Sequence, residues 1–143
     1  DFIHSDRSIF KIVDLDEAWA FLNVAQGETL SNKLVRAGRA MNAGVYFVTQ
    51  SSGDVSKESL KNNIGLKFAF RSTDTNEIKQ TLEFFGLDSE DENNQKRLRD
   101  LENGQCLMQD LYGRVGVVQI HPVFEELLHA FDTRPPVQRN EVE

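Results

Sequence analysis

Two short segments hold residue types that could act together on one substrate. Asp16-Glu17 closes a stretch that begins with Ile9-Phe10-Lys11-Ile12-Val13, and Thr49-Gln50 closes Val45-Tyr46-Phe47-Val48. A carboxylate at a strand tip can hold Mg²⁺ through water, and a second one beside it can polarise the water that attacks phosphorus. A glutamine at a neighbouring tip can hydrogen-bond both that water and a γ-phosphate. The pattern points to metal-assisted hydrolysis of a nucleoside triphosphate. Asp16 is the candidate metal ligand, Glu17 the candidate activator of water and Gln50 the candidate phosphate sensor, with Thr49 against the nucleotide.

Plainer chemistry fits each segment alone. Acidic residues after a strand often cap the next helix, where unpaired N–H groups and the helix dipole favour negative charge. Ser51-Ser52-Gly53-Asp54 is turn chemistry. A sharper rival is Asp14-Leu15-Asp16, the DxD spacing of nucleophile and general acid in haloacid-dehalogenase-type phosphatases. That chemistry favours a small, flexible continuation, whereas Glu17-Ala18-Trp19 opens a helical pattern. Nor does it use a Thr-Gln pair one helix later.

Placing two such tips side by side requires strands joined by a helical crossover. Residues 9–13 are apolar except for Lys11, as in a strand buried on both faces. A short helix over 18–22 should break at Gln26-Gly27-Glu28. A longer one should span about 29–42, with Leu30, Leu34, Gly38 and Met41 on one face. Ala43-Gly44 would end it, and 45–48 forms the second strand. A short helix over about 56–62 precedes a third strand at 66–70. Asp74-x-x-Glu77 resembles a capping box, opening a helix with the stripe Ile78, Thr81, Leu82 and Phe85. A second scaffold helix is expected over about 94–102. Residues 105–109 and 115–120 read as a hairpin, and a last helix over 123–131 should bury Phe124, Leu127, Leu128 and Phe131.

The composition of the 143 residues, 39% hydrophobic and 27% charged, is that of one soluble globular domain. No run approaches the roughly 18 apolar residues of a membrane span, and no signal peptide opens the chain. One cysteine, Cys106, excludes an internal disulfide and fits a reducing, cytoplasmic compartment. A net charge of −7 argues against a broad nucleic-acid-coating surface. His4, His121 and His129 lack zinc-ligand company. Because it begins with Asp1, the chain reads as a piece of something longer. The domain is expected over 1–131, with a disordered tail over 132–143 that contains Pro135-Pro136.

The segments at 12–19, 36–39 and 45–50 together resemble the C-terminal motor region of conjugative-transfer ATPases. These are the large type IV secretion ATPases related to the HerA and FtsK DNA pumps, and the likeness is closest to those of Gram-positive conjugative elements. The resemblance implies a partial RecA-like P-loop NTPase, α/β, with a mainly parallel sheet, flanking helices and a C-terminal hairpin. Asp16-Glu17 would be its Walker B element. In the intact protein it implies ATP, Mg²⁺, a hexamer, secretion-channel partners at the cytoplasmic face of the membrane, and DNA as cargo. Arg36, Arg39, Arg71 and Arg114 are the candidate arginine fingers or sensors.

One departure limits the activity. A phosphate loop needs G-x-x-x-x-G-K-[ST], and none of the nine glycines is followed by lysine. The Walker A strand and loop are therefore missing, so this chain alone should neither bind ATP tightly nor hydrolyse it. In RecA-like sheets that strand lies between the Thr-Gln strand and the next one. Its absence predicts that the 45–48 strand pairs directly with 66–70, or with another copy of the chain. A non-enzymatic oligomerising fragment is the rival from a different functional class.

Overall fold

The computed structural model describes residues 6–55, 58–130 and 132. Strand β1 (Lys11–Leu15) leads through helices α1 (Ala18–Leu22) and α2 (Ala25–Gly38) into β2 (Ala43–Phe47). These two strands pair in parallel, from Lys11 opposite Ala43 to Leu15 opposite Phe47. A 3₁₀ turn (Ser52–Val55) and helix α3 (Glu58–Lys61) come next, then β3 (Lys67–Ala69), α4 (Thr75–Phe85) and α5 (Glu92–Arg99). Strands β4 (Gln105–Gln109) and β5 (Val115–Gln119) form the expected hairpin, succeeded by α6 (Glu125–Ala130).

The expectation of a mainly parallel sheet is corrected. β1–β2 is the parallel pair, while β3, β4 and β5 form a separate antiparallel sheet in that order. The α1–α2 crossover is long enough to return the chain in the same direction, whereas the tight turn between β4 and β5 reverses it. Gly113, at φ 78°, provides the left-handed residue of that turn. Direct pairing of the Thr-Gln strand with the next one is also corrected: β2 and β3 lie in different sheets.

One core ties the two sheets together. Leu22, Leu60, Ile78, Leu82, Leu98 and Leu107 are almost wholly buried, with Leu15, Phe47 and Ala69 packed against them. Helix α4 is its centre, presenting Ile78, Thr81, Leu82 and Phe85 as the sequence predicts. The opposite faces are bare. Burial alternates along β1, and Ile12 is 60% exposed, so this strand is not buried on both sides. Tyr46, Val48, Phe68 and Phe70 remain about half exposed or more. Phe124, Leu127 and Leu128 of the α6 region are exposed as well, because no described element covers that helix; Phe131 lies outside the described residues.

Two glycines act differently from the sequence expectation. Gly27 sits inside α2 instead of breaking a helix; a Cβ there would fall 1.9 Å from the Phe21 carbonyl oxygen, so its bareness lets α1 and α2 meet. The left-handed residue that ends the α2 region is Asn42, at φ 51°, and Gly44 is a strand residue facing Phe10. Helix α5 begins earlier than expected because the Asp91 carboxylate accepts the Asn93 N–H at 2.8 Å. The tail after Asp132 lies outside the described residues.

Candidate nucleotide-hydrolysis site

The turn between β1 and α1 carries both carboxylates. Asp16 Oδ1 accepts the Glu17 N–H at 2.9 Å, and Glu17 itself is left-handed, with φ 51° and ψ 45°. That conformation costs a non-glycine residue on the order of 1–2 kcal/mol. It occurs where α1 starts, yet no side chain caps the helix there, so capping does not account for the acidic pair. Backbone hydrogen bonds splice the turn to the exit of β2. The Val48 N–H donates to the Leu15 carbonyl at 3.0 Å, and the Ala18 N–H donates to the Val48 carbonyl at 2.9 Å. The parallel register thus brings the two strand tips together.

Side chains meet across that splice. Gln50 Nε2 donates to Glu17 Oε1 at 2.9 Å. Glu17 Oε2 accepts the Trp19 indole N–H at 2.6 Å, so each oxygen of this exposed carboxylate has a donor. Sequence reasoning misses Trp19 as a site residue because a tryptophan in the first turn of an amphipathic helix looks like packing. Thr49 turns its hydroxyl to the Asp54 carboxylate in the adjacent 3₁₀ turn. Asp14 lies inside β1, opposite Tyr46.

The loop after Gln50 is held by a residue to which the sequence assigns another task. The Glu77 N–H donates to the Asp74 carboxylate at 2.8 Å, which is half of a capping box. Its side chain does not reach back. Glu77 Oε1 instead accepts the Ser52 N–H at 2.8 Å, and Oε2 accepts the Ser51 hydroxyl at 2.8 Å.

Beside the tips, a cleft of ≈ 760 Å³ separates the two sheets. Val45–Gln50 line one wall, Lys67–Arg71 the other, and Thr81, Phe84 and Phe85 of α4 the floor. Lys67 is buried there; its Nζ donates to the Phe84 carbonyl at 2.8 Å and lies 4.5 Å from the Phe84 ring centre. Burial and the nearby Lys61 charge push its pKa below the ordinary 10.5.

The candidate arginines are scattered. Arg71 lines the cleft with Gln50. Arg36 is in the last turn of α2, and the Arg39 side chain lies outside the described residues. Arg114 is engaged in the hairpin turn, its Nη2 2.6 Å from Asp110. There slight burial pushes the Asp110 carboxyl up, but hydrogen bonds from the Arg114 backbone and side chain and from Tyr112 leave it below the usual 3.8.

The donor set fits Mg²⁺ in part. Two exposed carboxylates at one turn suit an ion that takes one or two carboxylates and fills its shell with water and phosphate oxygens. Among the described residues no group of three or more His, Cys, Asp or Glu could enclose a metal unaided. No glycine of the sequence is followed by lysine, so the pattern G-x-x-x-x-G-K-[ST] does not occur in it.

The carboxylates of one turn and the glutamine of the next thus meet at adjoining tips of a parallel strand pair in an α/β domain. Residues 1–131 match the AAA-like domain family, and the chain belongs to that family of P-loop ATPases. It is 35% identical over 119 residues to the uncharacterized protein YddE of Bacillus subtilis (strain 168). The match covers 83% of this chain and 14% of YddE, so the chain spans a small part of that relative's length. No helix among the described residues is long and apolar enough to cross a membrane.

Proposed function

We propose that this chain is the later half of the ATP-hydrolysing motor domain of a conjugative-transfer, type IV secretion ATPase. The observation that carries the reading is the 2.9 Å bond between Glu17 and Gln50 at adjoining tips of a parallel pair. Asp16 and Glu17 serve as the Walker B carboxylates. Asp16 would hold Mg²⁺, which when bound would supply positive charge to offset the phosphates. Glu17 takes the proton of the attacking water. The bond to Glu17 uses one N–H of the Gln50 amide, leaving its second N–H and its carbonyl oxygen to reach a γ-phosphate and the attacking water. Trp19 keeps its hold on the other oxygen and limits how far Glu17 can swing.

The cleft supports the missing-strand reading. Its walls are the unshared edges of β2 and β3, the interval where a RecA-like sheet places the strand before the phosphate loop. The loop would then reach Thr49, Gln50 and Arg71. Assembly into a hexamer, a neighbour's arginine reaching the phosphates, secretion-channel partners and DNA as cargo complete the proposal for the intact protein.

The test compares ATP turnover by this chain with turnover by a version extended upstream through a G-x-x-x-x-G-K-[ST] loop. Activity is expected in the extended form alone. Glu17→Gln should lower its kcat by about 10²-fold or more, the scale of a lost general base. An extended form that assembles but stays inert would instead favour the oligomerising module. Release of phosphate from a simple phosphomonoester by this chain, lost in Asp14→Asn, would favour the phosphatase.

A further inference from the structure

We infer that Glu77 is a positioning residue that holds Gln50 against Glu17, an inference that rests on the hydrolytic reading above. Gln50 lies beyond the end of β2, and the ladder with β1 does not fix it. The two serines after it are anchored. Glu77 accepts the Ser52 N–H at 2.8 Å, the Ser51 hydroxyl at 2.8 Å and the Ser52 hydroxyl at 3.0 Å. Hydrogen bonds to an ionised carboxylate are roughly twice as strong as neutral ones, and these converge on a side chain that is itself half-buried. Thr81 joins the cluster by donating to the Ser52 hydroxyl oxygen at 3.2 Å.

The other end of the connection is rigid. Helix α4 is seated by Ile78 and Leu82, both 0% exposed. Its last turn receives Lys67 of β3 at the Phe84 carbonyl and Gln109 of β4 at the Phe85 carbonyl. Glu77 therefore links the loop behind Gln50 to a helix fastened to the antiparallel sheet across the cleft. Any shift of α4 against β2 moves Ser51 and Ser52, and Gln50 with them.

Trp19 is the one tryptophan, and its indole N–H shares the Glu17 carboxylate with Gln50, so its emission reports their contact. In this chain, Glu77→Ala is expected to shift Trp19 emission to the position given by Gln50→Ala, with the far-UV spectrum unchanged. The Ser51→Ala/Ser52→Ala double variant should move it the same way while leaving α4 intact, which covers the case of a Glu77 variant that fails to fold. Wild-type emission in a folded Glu77→Ala chain overturns the inference. In the extended, ATP-hydrolysing form, Glu77→Ala should lower kcat by up to about 10²-fold with KM within about twofold, as expected for a misplaced group. Wild-type kcat there also overturns it, yet leaves the hydrolytic reading standing. An inert wild-type extended form sinks that reading and leaves the emission measurement to decide the role of Glu77.

Discussion

Glu17 combines three properties that rarely coincide in a bland turn residue: a left-handed backbone, a carboxylate with donors on both oxygens, and a place at a strand tip. Strained backbone of this kind persists where surrounding structure imposes it, and it gathers at functional sites. The meeting of Glu17 and Gln50 is legible in the sequence because their residue types and the intervening strand–helix–strand rhythm are local information. Glu77 is not legible as a loop anchor, since its spacing from Asp74 already satisfies a local motif and its true partners lie 25 and 26 residues away. Cys106 gives a test at the same scale. Burial pushes its thiol above the ordinary 9.0, so the folded chain keeps a proton that the unfolded chain releases as pH passes 9.0. Its contribution to stability is complete below that pH and declines above it. Lys67 works in the opposite sense, since its folded pKa lies below 10.5 and alkali relieves the cost of its buried charge. The urea-midpoint difference between wild type and Cys106→Ala isolates the thiol, and it should shrink as pH rises past 9.0.

Helix α4 is the element whose sequence signals and structure agree best. Asp74 caps it, its apolar stripe seats it, and Gly86 at φ 74° closes it. Asp74→Ala should therefore lower stability by about 1 kcal/mol. A reduced urea midpoint with an unchanged m-value is the expected reading. Helix α6 shows the reverse. Its stripe is as regular, yet Leu127 is 41% exposed and Leu128 58% exposed, because periodicity announces an apolar face without saying whether a partner is there to meet it. Strand β1 teaches the same lesson: an apolar run specifies that both faces can be covered, and here one is.

At the scale of the whole molecule, the fold class is readable and the sheet order is not. Strand pairing depends on contacts between segments far apart in the chain, which local periodicity does not encode. The cleft gives the matching experiment. Amides of β2 and β3 facing it should exchange with deuterium quickly in this chain. They should slow in the form extended through the phosphate loop, if a strand fills the interval. Equal rates in both forms would count against that filling. The separation of the two sheets also bears on how the polypeptide reaches its native state. The β4–β5 hairpin pairs residues close in the chain, whereas the β1–β2 ladder joins residues 32 apart (Lys11 with Ala43) and the β3–β4 ladder joins residues 42 apart at its far end (Lys67 with Gln109). Distant pairings form slowly because chain entropy is lost before any contact compensates it. The hairpin is thus the first piece of sheet expected to form, and both longer ladders settle only after the helices that bridge them.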